Sequence, residues 1–334
     1  MFLLILVMHQ EVEVNMLEHA LLFSLSANKK LTQDVADILG IELGKVAVNH
    51  FSDGETICEP LDSVRDKNCY ILQSTCSPVT ENLFEILIFA DALKRSSAKM
   101  INLIVPYFGY ARQDRQYKPR QPITSKLVAD LLVTAGINRI ISFDLHTPQL
   151  QGFFSCLVDE LTAIPLIASY YKKEHLDNVV VVSPDHGGVN RARRVAERLD
   201  TPLAIVDKRR PQPNISEVMN VVGDVKGKNC LIIDDMIDTA GSCWESAKAL
   251  KEHGALSVRV ACVHGIFSGP AKERLLDGTI DEILCTDSIP LRDDMKGKVK
   301  VISLAPMIAM TIDHIEGGIP LSSVYDIYNN DEQY

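Results

Sequence analysis

The sequence predicts an α/β fold of two units, each built on a mainly parallel sheet that helices flank. Short aliphatic or β-branched runs without polar alternation recur along the chain, which is typical of strands buried on both faces. Stretches of helical periodicity lie between these runs, and alternation of this kind favours parallel sheets. The length of 334 residues exceeds what a single hydrophobic core usually serves, which favours two units.

The N-terminal end predicts neither a signal peptide nor a membrane span. Its apolar run covers only residues 1–8, no basic residue precedes the run, and no small-residue cleavage site follows it. Met16 is a second credible start, shortly before the first orderly strand. We therefore interpret residues 1–15 as a possible N-terminal extension.

The first unit is predicted to contain strands at residues 20–25, 101–105 and 139–142. A helix is predicted at residues 82–94, because apolar side chains recur there at steps of three and four residues. The apolar positions of that helix are Leu83, Phe84, Leu87, Ala90 and Leu93.

The second unit is predicted to begin after the Pro- and Gly-containing connection at residues 147–152, beyond which the alternation of strands and helices resumes. We place the two domains at residues 16–150 and 151–334. Strands of the second domain are predicted at residues 179–183, 231–233 and 258–262.

The composition excludes some classes of function. The formal charge of −10 argues against a protein that binds nucleic acid along its length, because such binding depends on clustered Lys and Arg. The eight cysteines show no metal-finger spacing and no Cys-x-x-Cys pair, which is typical of reduced thiols. We expect a cytoplasmic protein that binds neither nucleic acid nor membrane.

Polar residues follow the predicted strands, where a parallel sheet places its ligands. Residues 107–115 follow the strand at 101–105, and Asp144 and His146 follow the strand at 139–142. In the second unit, residues 184–188 and the acid pair Asp234 and Asp235 occupy the same kind of position. Each of these segments is a candidate ligand-binding loop.

The segment 231–242 carries the most chemical information. It reads as a buried strand, two adjacent carboxylates and a turn of small residues that opens a helix. The N–H groups and hydroxyls between Thr239 and Ser242 can surround a phosphate at the positive end of that helix. Asp234 and Asp235 can accept hydrogen bonds from ribose hydroxyls. The alternative is an ordinary acidic helix cap, but a cap does not explain the acid pair directly against an apolar run.

This segment resembles the ribose-phosphate loop of the phosphoribosyltransferase superfamily. The rest of the chain, from about residue 24 to residue 325, resembles one family, the ribose-phosphate diphosphokinases of the class I type. The motifs that carry this resemblance, beside 231–242, are residues 24–30, 51–55, 107–115, 183–188 and 207–214.

The resemblance implies two phosphoribosyltransferase-type domains and transfer of the diphosphoryl group of ATP to O1 of ribose 5-phosphate, giving phosphoribosyl diphosphate and AMP. It implies that Lys208 and Arg210 are the mobile catalytic pair. Without the resemblance, this basic segment reads as a solvated turn. The implied ribose 5-phosphate contacts are Asp234, Asp235, Asp238, Thr239, Ala240, Gly241 and Ser242.

The resemblance also implies Mg²⁺ as cofactor, with His146 and Asp185 as its protein ligands. A lone histidine after a strand is otherwise more often a structural residue. The family assembly is a homo-oligomer, a hexamer built from dimers, in which some ATP contacts come from a neighbouring subunit. The implied ATP contacts are Phe51, Asp53, Gly54, Glu55, Arg112 and Gln113, although Asp-Gly-Glu alone is merely a turn.

Two other functions stay open at this point. One is a phosphoribosyltransferase that consumes phosphoribosyl diphosphate, which would share the 234–242 loop but lack the Lys208 and Arg210 motif. The other is a non-catalytic regulatory partner of a synthase, for which loss of Lys208 or His146 would be expected. Both residues are present.

Overall fold

The computed structural model describes residues 17–209 and 218–328. Its first half consists of strands and helices in the order β1 (Ala20–Ser24), α1 (Lys29–Leu39), β2 (Val46–His50), β3 (Thr56–Pro60), β4 (Asn68–Leu72), α2 (Val79–Arg95), β5 (Met100–Val105), α3 (Thr124–Ala135), β6 (Arg139–Phe143), a 3₁₀-helix (Pro148–Phe153) and β7 (Leu157–Leu161). Five of these strands form a parallel sheet in the order β1-β4-β5-β6-β7. The strands β2 and β3 form a separate antiparallel hairpin, which packs on α2.

The second half continues with α4 (Ile164–Lys173), β8 (Val179–Ser183), α5 (Val189–Leu199), β9 (Leu203–Arg209), β10 (Val218–Val222), β11 (Asn229–Ile237), α6 (Gly241–Glu252), β12 (Ser257–Gly265), α7 (Ala271–Leu275), β13 (Glu282–Thr286), a 3₁₀-helix (Asp293–Met295), β14 (Lys300–Ile302), α8 (Ala305–Gly317) and a 3₁₀-helix (Leu321–Tyr328). Its seven-stranded sheet has the order β10-β9-β8-β11-β12-β13-β14, and only the edge strand β10 runs antiparallel to its neighbour.

The predicted fold class is confirmed, since both sheets are mainly parallel and carry helices between their strands. Every strand predicted from an aliphatic run is present, and the helix predicted at residues 82–94 lies within α2. The runs form strands because their side chains are buried on both faces; in β8, Val180, Val181 and Val182 are almost fully buried.

The chain passes from one sheet to the other later than the predicted boundary at residues 150/151. That position falls inside the 3₁₀-helix Pro148–Phe153, and β7, which follows it, pairs with β6. The Pro- and Gly-containing connection therefore joins two neighbouring strands of the first sheet, β6 and β7. The change of sheet takes place between Leu161 and Val179, around α4.

The two halves share a hydrophobic core. Helix α8, which follows the last strand of the second sheet, packs on α1 of the first half, and Val35 and Ile312 belong to one buried cluster. At the end of α8, the Glu316 carboxylate accepts hydrogen bonds from Asn68 Nδ2 at 2.8 Å and from Tyr70 Oη at 2.6 Å. Helix α8 thereby fastens the second half to β4 of the first half.

None of the described helices is long and apolar enough to cross a membrane. All eight cysteines are unpaired, and all but Cys156 are buried. They are core residues rather than ligands or cross-links.

Candidate functional site

The second sheet has a topological switch point between β8 and β11. From β8 the strand order runs outward through β9 to β10 on one side and through β11 to β14 on the other. In open parallel sheets the crevice outside the carboxyl ends at such a point is the usual ligand site. The loops that flank it here are residues 184–188, after β8, and residues 238–242, after β11.

The acid pair belongs to β11 itself. Sequence reasoning placed Asp234 and Asp235 just after a strand ending at Ile233, whereas the strand continues to Ile237 with Asp234 in register with Cys262 of β12. Successive side chains of a strand point to opposite faces, and both carboxylates nevertheless reach Arg191 of α5, whose Nη1 lies 3.6 Å from an oxygen of each.

Burial and neighbouring charges drive the two carboxyl pKa values apart. Burial, together with the adjacent charge of Asp235, raises the pKa of Asp234 well above its ordinary value. Burial also acts to raise the pKa of Asp235, but the hydrogen bond from His146 and the charge of Arg191 outweigh it, so this pKa is lowered. Asp235 is therefore the ionised member of the pair, and Asp234 is the member that more readily holds a proton.

His146 reaches this pair from the first half of the chain. It follows β6, and its Nδ1 lies 2.8 Å from Oδ2 of Asp235. Because an ionised carboxylate only accepts, Nδ1 is the donor of this bond, and Nε2 has no hydrogen bond to another described residue. A histidine held by a carboxylate through one ring nitrogen is oriented to bind a metal through the other.

The turn after β11 has the shape of an anion site. Ala240 has left-handed backbone angles (φ 60°, ψ 10°) and α6 begins at Gly241, so the first N–H groups of the helix have no intrahelical acceptor. Thr239 and Ser242 are exposed beside them. Four of the predicted substrate contacts, Thr239, Ala240, Gly241 and Ser242, thus lie in this turn, whereas Asp234 and Asp235 lie in β11.

Arg112 bridges the two halves at this turn. Its Nη1 is 2.7 Å from Oδ2 of Asp238, and the Arg112 side chain is 51% exposed. The same Asp238 carboxylate accepts a short hydrogen bond from Ser268. Gln113 is exposed next to Arg112, but its side chain accepts from Thr124 Oγ1 at 2.5 Å. The structure therefore joins Arg112 to the turn after β11, whereas the Gln113 side chain bonds to the start of α3.

Asp185 lies in the loop after β8 with an exposed side chain. Its Oδ1 accepts from the Gly188 N–H at 2.9 Å, which leaves Oδ2 for a ligand. No cluster of three or more His, Cys, Asp or Glu suited to a metal occurs among the described residues. Mg²⁺ takes few protein ligands and completes its shell with phosphates and water, so the two predicted ligands, His146 and Asp185, would be enough for that ion.

The remaining predicted ATP contacts lie at the tip of the hairpin β2–β3. Phe51 N–H bonds to Glu55 O at 2.8 Å, Glu55 N–H bonds to Asp53 Oδ1 at 3.1 Å, and Gly54 supplies the positive φ of 94° that the turn requires. The hydrogen bonds of this turn stay within the hairpin, as far as the described residues extend. Phe51 is 55% exposed at the tip.

Of the predicted catalytic pair, only the backbone of Lys208 can be placed. Lys208 is in β9, paired with Met219 of β10. Because β9 is parallel to β8 and β8 is parallel to β11, the carboxyl end of β9 lies at the edge of the sheet that carries the acid pair. The Lys208 side chain and the whole of Arg210 lie outside the described residues.

Comparison with known proteins agrees with this arrangement. A model of the N-terminal domain of ribose phosphate pyrophosphokinase matches residues 20–136, and a phosphoribosyl transferase domain model matches residues 158–304. The ribose-phosphate pyrophosphokinase of Bacillus subtilis is 51% identical over 292 residues, covering 87% of this chain and 92% of that protein.

The chain belongs to the ribose-phosphate pyrophosphokinase family. Pyrophosphokinase is another word for diphosphokinase, so the family predicted from the motifs is confirmed. The family member from Fusobacterium nucleatum is 51% identical over 308 residues, covering 91% of this chain and 98% of its own. The crystal structure of phosphoribosylpyrophosphate synthetase from Mycobacterium smegmatis superposes with a TM-score of 0.85 at 40% identity, covering 90% of this chain and all of that chain.

Several residues that contact the site of this family member were missed from sequence. Helix α5 contains four arginines, and Arg191 is the one that contacts the acid pair. The orientation of the helix on β11 decides which arginine does so. Ser268 and Arg274 follow β12 and reach back to the turn after β11. The sequence did contain a signal for Ser268 and Arg274, because they are polar residues that follow β12. The carboxyl ends of β11 and β12 lie side by side at the same edge of the sheet.

Proposed function

We propose that this chain binds ribose 5-phosphate and ATP in the crevice at the switch point and transfers the diphosphoryl group of ATP to O1 of the sugar. The products are phosphoribosyl diphosphate and AMP. The observation that carries the proposal is the juxtaposition of the acid pair, the small-residue turn 238–242 and, from the other half of the chain, Arg112 and His146. A family member with this constellation has each group that the transfer needs.

The sugar phosphate occupies the turn and the acid pair. The N–H groups at the start of α6 and the Thr239 and Ser242 hydroxyls bind its phosphate. The carboxylates of Asp234 and Asp235 accept from the ribose 2- and 3-hydroxyls and so hold the sugar in one orientation. Fixing O1 relative to the nucleotide is most of what the protein contributes to such a transfer.

ATP lies on the side of Arg112 and Gln113. Arg112, paired with Asp238 and half exposed, can exchange that partner for a nucleotide phosphate. His146, through Nε2, and Asp185 would hold Mg²⁺, and the ion would supply charge neutralisation on the phosphates. The Asp235 carboxylate keeps the His146 ring in the orientation that this requires.

The transfer forms a bond from O1 of the sugar to the β-phosphorus and breaks the bond between the α-phosphate bridging oxygen and that phosphorus. The electron pair of the broken bond leaves on AMP, and the proton of the O1 hydroxyl is released. Lys208 and Arg210 would close from the loop after β9 and stabilise the negative charge of the diphosphoryl group during transfer.

We propose a homo-oligomer, a hexamer built from dimers, in which the turn at residues 51–55 completes the ATP site of a neighbouring subunit. The exposed Phe51 at the hairpin tip supports this, since such a side chain gains from contact with a nucleotide base or another chain. The unpaired cysteines fit a cytoplasmic enzyme. The acidic charge fits small-molecule substrates rather than nucleic acid.

The proposal is tested by incubating the purified chain with ATP, ribose 5-phosphate and Mg²⁺ and separating the nucleotides. AMP should form only when the sugar phosphate is present, and Lys208→Ala should abolish its formation while binding of ribose 5-phosphate remains. ADP formation without the sugar would indicate an ordinary kinase or ATPase. No turnover by the wild-type chain, with ribose 5-phosphate binding intact, would favour the non-catalytic partner.

A further inference from the structure

The turn that receives the sugar phosphate is held from behind by the segment that follows β12. Three consecutive carbonyl groups of the turn each have a hydrogen-bond partner in that segment. The Ile237 carbonyl accepts from the N–H groups of Ile266 and Phe267, both at 3.0 Å, and the Asp238 carbonyl accepts from the Ser268 N–H at 2.9 Å. The first two carbonyls are therefore fixed by backbone alone.

The third carbonyl is held differently. The Thr239 carbonyl accepts from Nη1 of Arg274, in α7, at 2.9 Å. Of the four hydrogen bonds to these carbonyls, this is the one that depends on a side chain, so it is the one that a substitution can remove.

The direction of that bond decides where the next N–H group points. In a trans peptide the C=O and the following N–H point in opposite directions. With the Thr239 carbonyl turned toward Arg274, the Ala240 N–H points away from Arg274. Ala240 also has left-handed backbone angles, which cost a residue with a Cβ about 1 kcal/mol and persist only when the surroundings impose them.

The surroundings of Arg274 are shaped to hold it there. A Cβ added to Gly241 would lie 3.3 Å from Nη1 of Arg274, so the glycine gives the guanidinium room against the turn. On its far side the guanidinium carbon lies 5.8 Å from the ring centre of Trp244. Trp244 is itself fixed, since its indole N–H donates to Asp277 at 2.5 Å.

We propose that Arg274 is a positioning residue for the sugar phosphate: it sets the Thr239–Ala240 peptide so that the Ala240 N–H faces the phosphate. The inference rests on the proposed function only in taking a sugar phosphate as the ligand of this turn. Without Arg274 the peptide can rotate, the carbonyl oxygen can face the phosphate, and one donor is replaced by a repelling acceptor. The loss should fall on binding of the sugar phosphate and spare binding of ATP.

The test measures ribose 5-phosphate affinity of Arg274→Ala, Arg274→Lys and the wild-type chain by calorimetry, with KM for both substrates alongside. Arg274→Ala should weaken ribose 5-phosphate binding about ten- to a hundredfold, the usual effect of losing a charged hydrogen bond at a site, with KM for ATP changed less than threefold. Arg274→Lys should recover part of the affinity, and millimolar guanidinium ion should recover part of it in Arg274→Ala.

Two further variants separate this role from general damage. Lys272→Ala removes a charge from the same helix, where Lys272 faces Asp294 at 3.7 Å, and should leave ribose 5-phosphate affinity unchanged. Lys248→Ala removes the cation that lies 3.6 Å from the ring centre of Trp244; it should alter the fluorescence of this sole tryptophan and leave the ribose 5-phosphate affinity unchanged.

Wild-type affinity in Arg274→Ala, or equal losses for ATP and ribose 5-phosphate in both Arg274 variants without guanidinium rescue, would overturn the positioning role. These outcomes are distinct from failure of the proposed function, in which the wild-type chain itself would bind no ribose 5-phosphate or form no AMP.

Discussion

Asp234 and Asp235 are neighbours in the chain but differ in what surrounds them. Asp235 is 5% exposed and receives both the His146 hydrogen bond and the charge of Arg191, so its ionised form is stabilised. Asp234 lies at the same distance from Arg191, but it receives no hydrogen bond from His146 and lies beside the negative charge of Asp235. The free-energy cost of holding two adjacent carboxylates therefore falls mainly on ionising Asp234.

Replacing Asp234 by Asn should stabilise the ligand-free protein. Because the folded-state pKa of Asp234 is raised, this residue favours folding at low pH and loses that contribution as the pH rises through the raised pKa. At pH 8 the variant should gain on the order of 1 kcal/mol, which corresponds to a melting temperature about 2 °C higher. The gain should shrink as the pH is lowered.

Thermal unfolding followed from pH 5 to pH 8 measures this effect, with Asp235→Asn as the matched control. The control should melt at a lower temperature than wild type at pH 8, because it weakens the contacts of an ionised carboxylate with His146 and Arg191. A lower melting temperature for Asp234→Asn at pH 8 would mean that the pKa is not raised.

Removing the imidazole of His146 should raise the Mg²⁺ concentration required for activity. Loss of a metal ligand or of its orientation typically weakens metal binding by roughly tenfold or more. The measurement is the Mg²⁺ titration of AMP formation by His146→Ala, with the exposed His175→Ala as control. An unchanged Mg²⁺ dependence in His146→Ala would remove His146 from the metal site.

At the scale of elements, the sheets could be predicted and the contacts between them could not. Runs such as Val179–Ser183 are aliphatic because both faces of the strand are buried, and burial on both faces leaves a local signature. The hairpin β2–β3 was missed because its strands are only partly buried and its turn alone carries little information. The extent of β11 was underestimated because Asp234 and Asp235 look like a strand end.

The assembly of the site from distant segments has no local signature. His146 meets Asp235 across 89 positions of sequence, and Arg112 meets Asp238 across 126. Sequence reasoning brought these residues together only through the family resemblance. The choice of Arg191 among the α5 arginines, and the reach of Arg274 to the turn, depend on packing that only the folded chain establishes.

Helix α8 should matter for stability more than its terminal position suggests. Glu316→Ala removes the acceptor of the Tyr70 hydroxyl, and Tyr70 is fully buried. An unsatisfied buried donor costs about 1–3 kcal/mol, so the melting temperature should fall by several degrees. Asp313→Ala is the control, because Asp313 lies on the same helix and its side chain has no hydrogen bond to another described residue. Equal melting temperatures for the two variants would show that Glu316 does not fasten the halves together.

At the scale of the whole molecule, the proposed ATP contacts fall into two groups with no hydrogen bond between them among the described residues. Arg112 lies at the crevice, whereas the turn at residues 51–55 bonds only within its hairpin among the described residues. If neighbouring subunits complete each other's sites, two inactive variants should complement one another. A chain carrying Asp53→Ala and Glu55→Ala, mixed with Lys208→Ala under conditions that exchange subunits, should regain activity.

Regained activity would come from sites in which an intact crevice meets an intact hairpin turn of another chain. The controls are each variant alone and the same mixture without subunit exchange. Mixed oligomers that stay inactive would mean that the turn serves the crevice of its own chain, and full activity of the Asp53→Ala and Glu55→Ala chain alone would place the turn outside the ATP site.

The central claim is that both terminal phosphates of ATP move together onto the sugar that the Asp234–Ser242 turn holds. The most direct measurement uses ATP labelled at the β-phosphorus, with ribose 5-phosphate and Mg²⁺, and follows the label by chromatography. The label should appear in the sugar product, with unlabelled AMP as the released nucleotide. Label that stays in a nucleotide as ADP, while only the γ-phosphate reaches the sugar or water, would contradict the claim.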